Sequence, residues 1–287
     1  MYKRGVLFIN LMITLTNQKT DKVLDFKFME KYRHIDPYSY LPIFQSPDWY
    51  LQLHEMLAEF FYSYAGQKMP REWLKKREEI VKMVEELMKA NLISLGNAGK
   101  PEVSGMPGTS EKVPRHEGKD HDKERKLIDT AIIHHTSTKH NAKLSYIDAL
   151  CLLRLYSRYY SNKENREHGR PIWSNHIING KQTFIPYHYI IRRDGTFERC
   201  LSDEMIGWHS GNRETNCRSI AICFLDDLEN SKPTEQAMAT AIQIIKKYNI
   251  STDKIFGHRE INLKTTCPGK NFFEWKFQLL NGIQEHQ

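Results

Sequence analysis

His134, His258 and Cys267 are the residues with which this sequence could do chemistry, because each follows a short apolar or turn-forming run that would hold it in place. The first lies in Ile132-Ile133-His134-His135-Thr136 and the second in Phe256-Gly257-His258-Arg259-Glu260. The third opens Cys267-Pro268-Gly269, nine residues after His258 in a Thr-rich loop. Two imidazoles and one thiolate suit Zn²⁺, whose borderline softness accepts nitrogen and sulfur ligands. Three protein ligands with water in the fourth position is the arrangement of a catalytic zinc, whereas a structural site more often closes with a fourth side chain. Water bound at such a site has its pKa lowered toward roughly 7, which makes hydroxide available at neutral pH. On a strand, His134 and His135 point to opposite faces, so only one of the two can reach a metal easily. Spacing alone leaves the plain alternative open. The chain has 13 histidines, some of which fall near a cysteine by chance, and Cys267 before Pro-Gly could equally be a turn residue.

The elements that must position these residues form an α/β pattern from Lys126 onward. Thr130 to Thr136 reads as a short apolar strand, and Ser145-x-x-Asp148 as the opening of a helix through Leu152, Leu155 and Tyr159. Tyr187 to Arg193 is a strand followed by an Asp194-Gly195 turn. Ser219 to Leu225 is a continuous apolar strand, Pro233 to Tyr248 a helix and Lys254 to Gly257 another short strand. Together they predict a mixed central β-sheet flanked by helices over 126–287.

Upstream, residues 95–125 hold five Gly, three Pro and many charges with almost no large apolar side chain, so they read as a flexible linker with His116 and His121 solvated. Residues 1–94 form a small α-rich domain. One helix begins at Ser46-Pro47 and carries Trp49, Leu53, Leu57, Phe60 and Tyr64; a second begins at Pro70 and carries Trp73, Ile80, Val84 and Leu87. The first 28 residues pair two alternating runs, Leu11 to Leu15 and Leu24 to Phe28, about a polar turn and read as a β-hairpin. A rival reading takes Met1 to Leu15 as a basic and apolar export signal, with Asn10 in its middle and no small-residue cleavage site after it.

Composition narrows the partner. With 42 Lys+Arg against 35 Asp+Glu the 287-residue chain carries +7, and residues 126–287 hold 22 basic and 17 acidic side chains. That favours an acidic partner, but no basic run tracks phosphates, so nucleic acid is not expected. No stretch approaches eighteen uncharged apolar residues, which excludes a transmembrane segment. Five cysteines are too few for a disulfide scaffold. Cys151 and Cys223 read as small buried hydrophobes, while Cys200 and Cys217 could pair if the chain is exported.

Six segments in order carry a resemblance: Ile133-His134-His135-Thr136, Tyr187 to Ile191 with Asp194-Gly195, Gly207-Trp208-His209-Ser210-Gly211, Asn216-x-x-Ser219-Ile220-Ala221-Ile222, Gly257-His258-Arg259 and Thr265-x-Cys267-Pro268-Gly269. Together they closely resemble the zinc-dependent N-acetylmuramoyl-L-alanine amidase family, which includes amidase-type phage lysozymes and peptidoglycan recognition proteins. The resemblance runs from about Ile128 to Trp275 and takes in nothing before Lys126. It implies one Zn²⁺, held by His134, His258 and Cys267, in a groove that binds a glycan strand and its stem peptide. It further implies hydrolysis of the amide between N-acetylmuramic acid and L-alanine by attack of zinc-bound water. Tyr187 matches the family's active-site tyrosine, whose phenol would donate to the zinc-bound water or to the tetrahedral oxyanion.

One departure concerns the residue that assists it. Counted back from Cys267, Thr265 occupies the position that is Lys or Thr in relatives; counted forward from His258, Lys264 does. Thr265 is preferred, because the loop can absorb an extra residue before the Thr-x-Cys-Pro-Gly turn, and Lys264 stands as its rival. In the groove, His209 is expected to contact substrate near the scissile bond and Trp208 to supply apolar or sugar-stacking surface.

A bacteriolytic, endolysin-like amidase acting as a monomer is the expectation. The alternative is a non-catalytic peptidoglycan-binding protein, against which the thiolate Cys267 speaks; a regulatory binder is a third class on which the residues are silent. The N-terminal region is expected to target or position the enzyme on the wall. Localisation stays open between a phage-type lysin made in the cytoplasm and an exported enzyme.

Overall fold

A computed structural model describes residues 121–168, 172, 174, 176–178 and 181–284, with scattered positions between 54 and 88. The expected N-terminal hairpin, most of the two N-terminal helices and the linker up to residue 120 lie outside the described residues. The described positions of those helices are helical, and Leu57, Phe61, Ile80, Val81 and Val84 among them are buried. The chain divides into two compact units, one comprising Met1–Gly118 and Asp148–Phe184, the other Lys119–Ile147 and Ile185–Gln287.

The second unit holds the sheet. Its strands are β1 (Thr130–His135), β4 (Tyr189–Ile191), β5 (Phe197–Arg199), β6 (Ser219–Phe224) and β7 (Ile255–Gly257), in the spatial order β5-β4-β6-β1-β7. β1 runs parallel to β6 and β7, β4 parallel to β6, and only β5 is antiparallel. β1 and β6 sit at the centre and are buried at all six positions each, which is why both read as unbroken apolar runs.

Side chains alternate across this sheet. Ala131 and Ile133 of β1 and Ile220, Ile222 and Phe224 of β6 join the main core. That core is closed by the helices α4 (Glu235–Lys247), through Ala237, Met238, Ala241, Ile244 and Ile245, and α6 (Phe272–Gln284), through Phe272, Trp275, Leu279 and Ile283. The intervening positions, Ile132 and His134 on β1 and Ser219, Ala221 and Cys223 on β6, face the other way. α4 starts where Thr234 accepts a hydrogen bond from the Ala237 N–H.

In the first unit lie most of α1 (Leu144–Tyr160), α2 (Lys163–His168) and a small antiparallel pair, β2 (Ile177–Ile178) with β3 (Lys181–Gln182). α1 begins one residue before Ser145, so the expected cap lies inside the helix, and buried Asp148 accepts from the Phe184 N–H at 2.6 Å and from the Thr183 hydroxyl at 3.2 Å. The short helices α3 (Arg213–Arg218) and α5 (His258–Ile261), the strand β5 and the helix α6 are additions to the sequence reading. For α6 the signal was present, since its buried residues recur at helical spacing. None of the five cysteines forms a disulfide, so Cys200 and Cys217 do not pair here. No helix among the described residues is long and apolar enough to cross a membrane.

Candidate functional site

His134 and His258 meet because β1 and β7 are parallel neighbours. Ile133 pairs with Gly257 in register, so the residue that follows each of them stands at the carboxyl edge of the sheet, where α/β folds place their ligands. Gly257 must be a glycine: a Cβ there would press into the Phe272 ring. Its N–H donates to Glu260 at 2.7 Å, which starts α5 with His258 as its first residue.

Cys267 is brought in by its loop. The Arg259 N–H donates to the Cys267 carbonyl at 2.7 Å, and the Arg259 guanidinium to the carbonyls of Gly269 and Lys270. The Cys267–Pro268 peptide is cis, and Gly269 adopts φ +125° hard against the Leu228 backbone, a position closed to any side chain.

The donor atoms of His134, His258 and Cys267 lie within 4.8 Å of one another, with His134 Nδ1 and Cys267 Sγ 3.7 Å apart. Ligands on a tetrahedral zinc stand about 3.6 Å apart when one is nitrogen and one sulfur. Two imidazole nitrogens and a sulfur at this spacing fit that ion. At His134 the surroundings keep the ring neutral. Burial above all, then the His209, His258 and His135 imidazoles, holds the His134 pKa well below its ordinary value, which leaves a lone pair on the ring at neutral pH.

His135 takes a different part, as the strand geometry required. Its Nδ1 accepts from the Leu228 N–H at 2.9 Å, and Asp227 lies 3.9 Å away. Only its backbone reaches the site, where its N–H donates to Cys267 Sγ at 3.5 Å.

Tyr187 is buried beside His134, with ring centroids 5.2 Å apart. It precedes β4, which begins two residues later than the strand expected from the sequence. The Thr265 hydroxyl accepts from the Cys267 N–H at 3.2 Å, so it props the turn that carries Cys267; Lys264 is exposed, its N–H tied to Asn262. Trp208 is partly exposed and packs nearly perpendicular to the His121 ring, with ring centroids 5.5 Å apart.

His209, expected to touch substrate, is instead buried behind the site. Its Nδ1 lies 2.9 Å from His134 Nε2 and its Nε2 3.2 Å from the Ser219 hydroxyl. Burial first, then His188, His258 and Arg125, depresses its pKa strongly.

The end of the segment read as a linker also differs. His121–Glu124 is a short 3-10 turn, and His121 is half-buried against Trp208, not solvated. Arg125 then donates to four main-chain carbonyls, those of Asp203, Asn216, Cys217 and Ser219, at 2.8 to 3.3 Å. Asp122 accepts from the Ile206 N–H at 2.8 Å. The loop that carries Trp208 and His209 is thus tied by residues upstream of Lys126, where the sequence reading placed only linker. A lone arginine among linker charges left no sequence signal for this.

Residues 123–270 match the family profile described as N-acetylmuramoyl-L-alanine amidase. No curated protein matches the chain significantly. Among solved structures, the chain is similar to the N-acetylmuramoyl-L-alanine amidase LysC from Clostridium intestinale URNW, with 25% identity over 54% of this chain and 85% of that one and a TM-score of 0.38. The Ph2119 endolysin from the Thermus scotoductus MAT2119 bacteriophage Ph2119 shares 18% identity over 54% and 86%, at 0.38. The Drosophila peptidoglycan recognition protein SD shares 22% over 50% and 75%, at 0.33.

Proposed function

Because the chain belongs to the N-acetylmuramoyl-L-alanine amidase family, we propose that it hydrolyses the amide between N-acetylmuramic acid and L-alanine in peptidoglycan, with one zinc ion held by His134, His258 and Cys267. The observation that carries this reading is the convergence of His134 with His258 and Cys267, which lie far downstream of it in the chain, all inside the matched region. Zinc bound there would supply a Lewis acid for the lactyl carbonyl and an acidified water.

The chain's own residues do the rest. His134 stays neutral and so keeps a lone pair for the metal, while the His135 N–H offsets charge on the Cys267 sulfur. Tyr187, packed on the His134 ring, would donate its phenolic proton in a hydrogen bond to the oxygen that gains charge as the carbonyl is attacked. Thr265 assists from the ligand's turn, as a neutral donor beside Cys267. Trp208 offers an apolar face to the sugar or stem peptide, backed by His121. Residues 126–287 carry the catalysis together with the His121–Arg125 segment, and residues 1–94 position the enzyme on the wall.

The test is zinc stoichiometry measured alongside the appearance of free L-alanine amino groups from purified peptidoglycan. Wild type should bind one zinc and release such ends, and Cys267→Ser should lose both. A Cys267→Ser protein that keeps metal and lytic activity would sink the assignment.

A further inference from the structure

We propose that His209 is a positioning residue for the metal ligand His134, acting through a hydrogen-bonded chain that ends on Ser219, and not a substrate contact. The proposal rests on the reading of His134 as a zinc ligand.

The chain of atoms is short and directional. His134 turns Nδ1 toward Cys267 Sγ at 3.7 Å and Nε2 toward His209 Nδ1 at 2.9 Å. An imidazole that gives the Nδ1 lone pair to a cation and stays neutral must carry its proton on Nε2. That N–H donates to His209 Nδ1, so the His209 proton sits on Nε2 and donates to the Ser219 hydroxyl at 3.2 Å. One tautomer of each ring satisfies both bonds. The reverse tautomer of His209 would set two N–H groups against each other in a buried place.

The fold makes this chain stiff. Ser219 opens the central strand β6, is fully buried, and its carbonyl is held by Arg125 at 2.9 Å. Ser219 and His134 lie on the same face of the sheet, opposite the α4/α6 core, and the His209 ring bridges them at 87° to the His134 ring. A ring clamped this way presents Nδ1 in one direction before any ion arrives. Partners that orient a ligating histidine commonly change metal affinity about 10–100-fold when removed.

Two substitutions separate positioning from packing. His209→Leu keeps bulk but removes the acceptor; His209→Asn places an amide oxygen near the Nδ1 position and keeps it. By chelator competition, His209→Leu should bind zinc at least about tenfold more weakly than wild type, with His209→Asn within about threefold. Long-range ¹H–¹⁵N spectra of the metal-free wild type should show His134 protonated on Nε2. Thermal unfolding in EDTA reports whether each variant folds. Should His209→Leu fail to fold, Ser219→Ala replaces it, with an expected loss of about threefold or more.

The proposal is overturned if His209→Leu holds zinc as tightly as wild type, if Leu and Asn weaken it alike, or if His134 is protonated on Nδ1. A folded replacement Ser219→Ala with unchanged affinity overturns it too. If wild type itself binds no zinc, the metal reading fails instead, and the tautomer of the metal-free chain still decides the hydrogen bond.

Discussion

The backbone N–H of His135 donates to Cys267 Sγ at 3.5 Å while the His135 ring points away and accepts from the Leu228 N–H at 2.9 Å. Adjacent histidines therefore have separate tasks: His134 serves the site with its side chain and His135 serves it with its main chain. His135→Ala should keep one zinc per chain, because the N–H remains. It should lower stability by about 1–3 kcal/mol, the cost of leaving the buried Leu228 donor unsatisfied. Denaturant titration with metal analysis checks both, and loss of zinc from a folded His135→Ala protein would refute the division.

Arg125→Ala in the full chain should cost about 3 kcal/mol, since it strips a charged donor from four carbonyls in one stroke. Arg125→Lys should recover less than half of that, because an ammonium cannot span them. Chemical denaturation measures the difference. Equal stability of all three proteins would show that the segment is dispensable.

Acid should destabilise the metal-free protein. His134 and His209 are buried with folded-state pKa values well below the ordinary imidazole value, owing first to burial and then to neighbouring imidazoles and Arg125. The unfolded chain, with imidazoles near about 6.5, then takes up protons that the folded state does not. Stability from these groups is full above about 6.5 and falls as pH drops below it, by up to about 1.4 kcal/mol per pH unit for each histidine. Urea midpoints in EDTA between pH 8 and pH 5 should show this, with a shallower fall in His209→Asn. A flat profile would contradict the burial of neutral rings.

Thr265→Ala and Lys264→Ala should part company. The first removes the hydroxyl that accepts from the Cys267 N–H, so it should lower turnover about tenfold or more and loosen the ligand's turn. The second removes an exposed ammonium and should leave turnover within about twofold. Steady-state rates on purified peptidoglycan decide, and the opposite ranking would transfer the role to Lys264.

Much of the sheet could be read before the structure, because β1, β6 and α4 announce themselves through local pattern: an unbroken apolar run means a strand covered on both faces, and the periodic stretch from Pro233 to Tyr248 means a helix. The separation of His134 from His135 was legible for the same reason, since the period of a strand is a local property. What escaped was whatever depends on which segments become neighbours. His209 looked like a groove residue until packing put it between His134 and Ser219, and Arg125 looked like linker until the carbonyls of Asp203, Asn216, Cys217 and Ser219 converged on it. Local chemistry along the chain was enough to give the donor types, the strand that carries His134 and the family to which they belong. Only the tertiary structure decided which nitrogen faces the sulfur and what holds each ring, because hydrogen bonds are short and directional and depend on positions that distant chain segments reach only by folding.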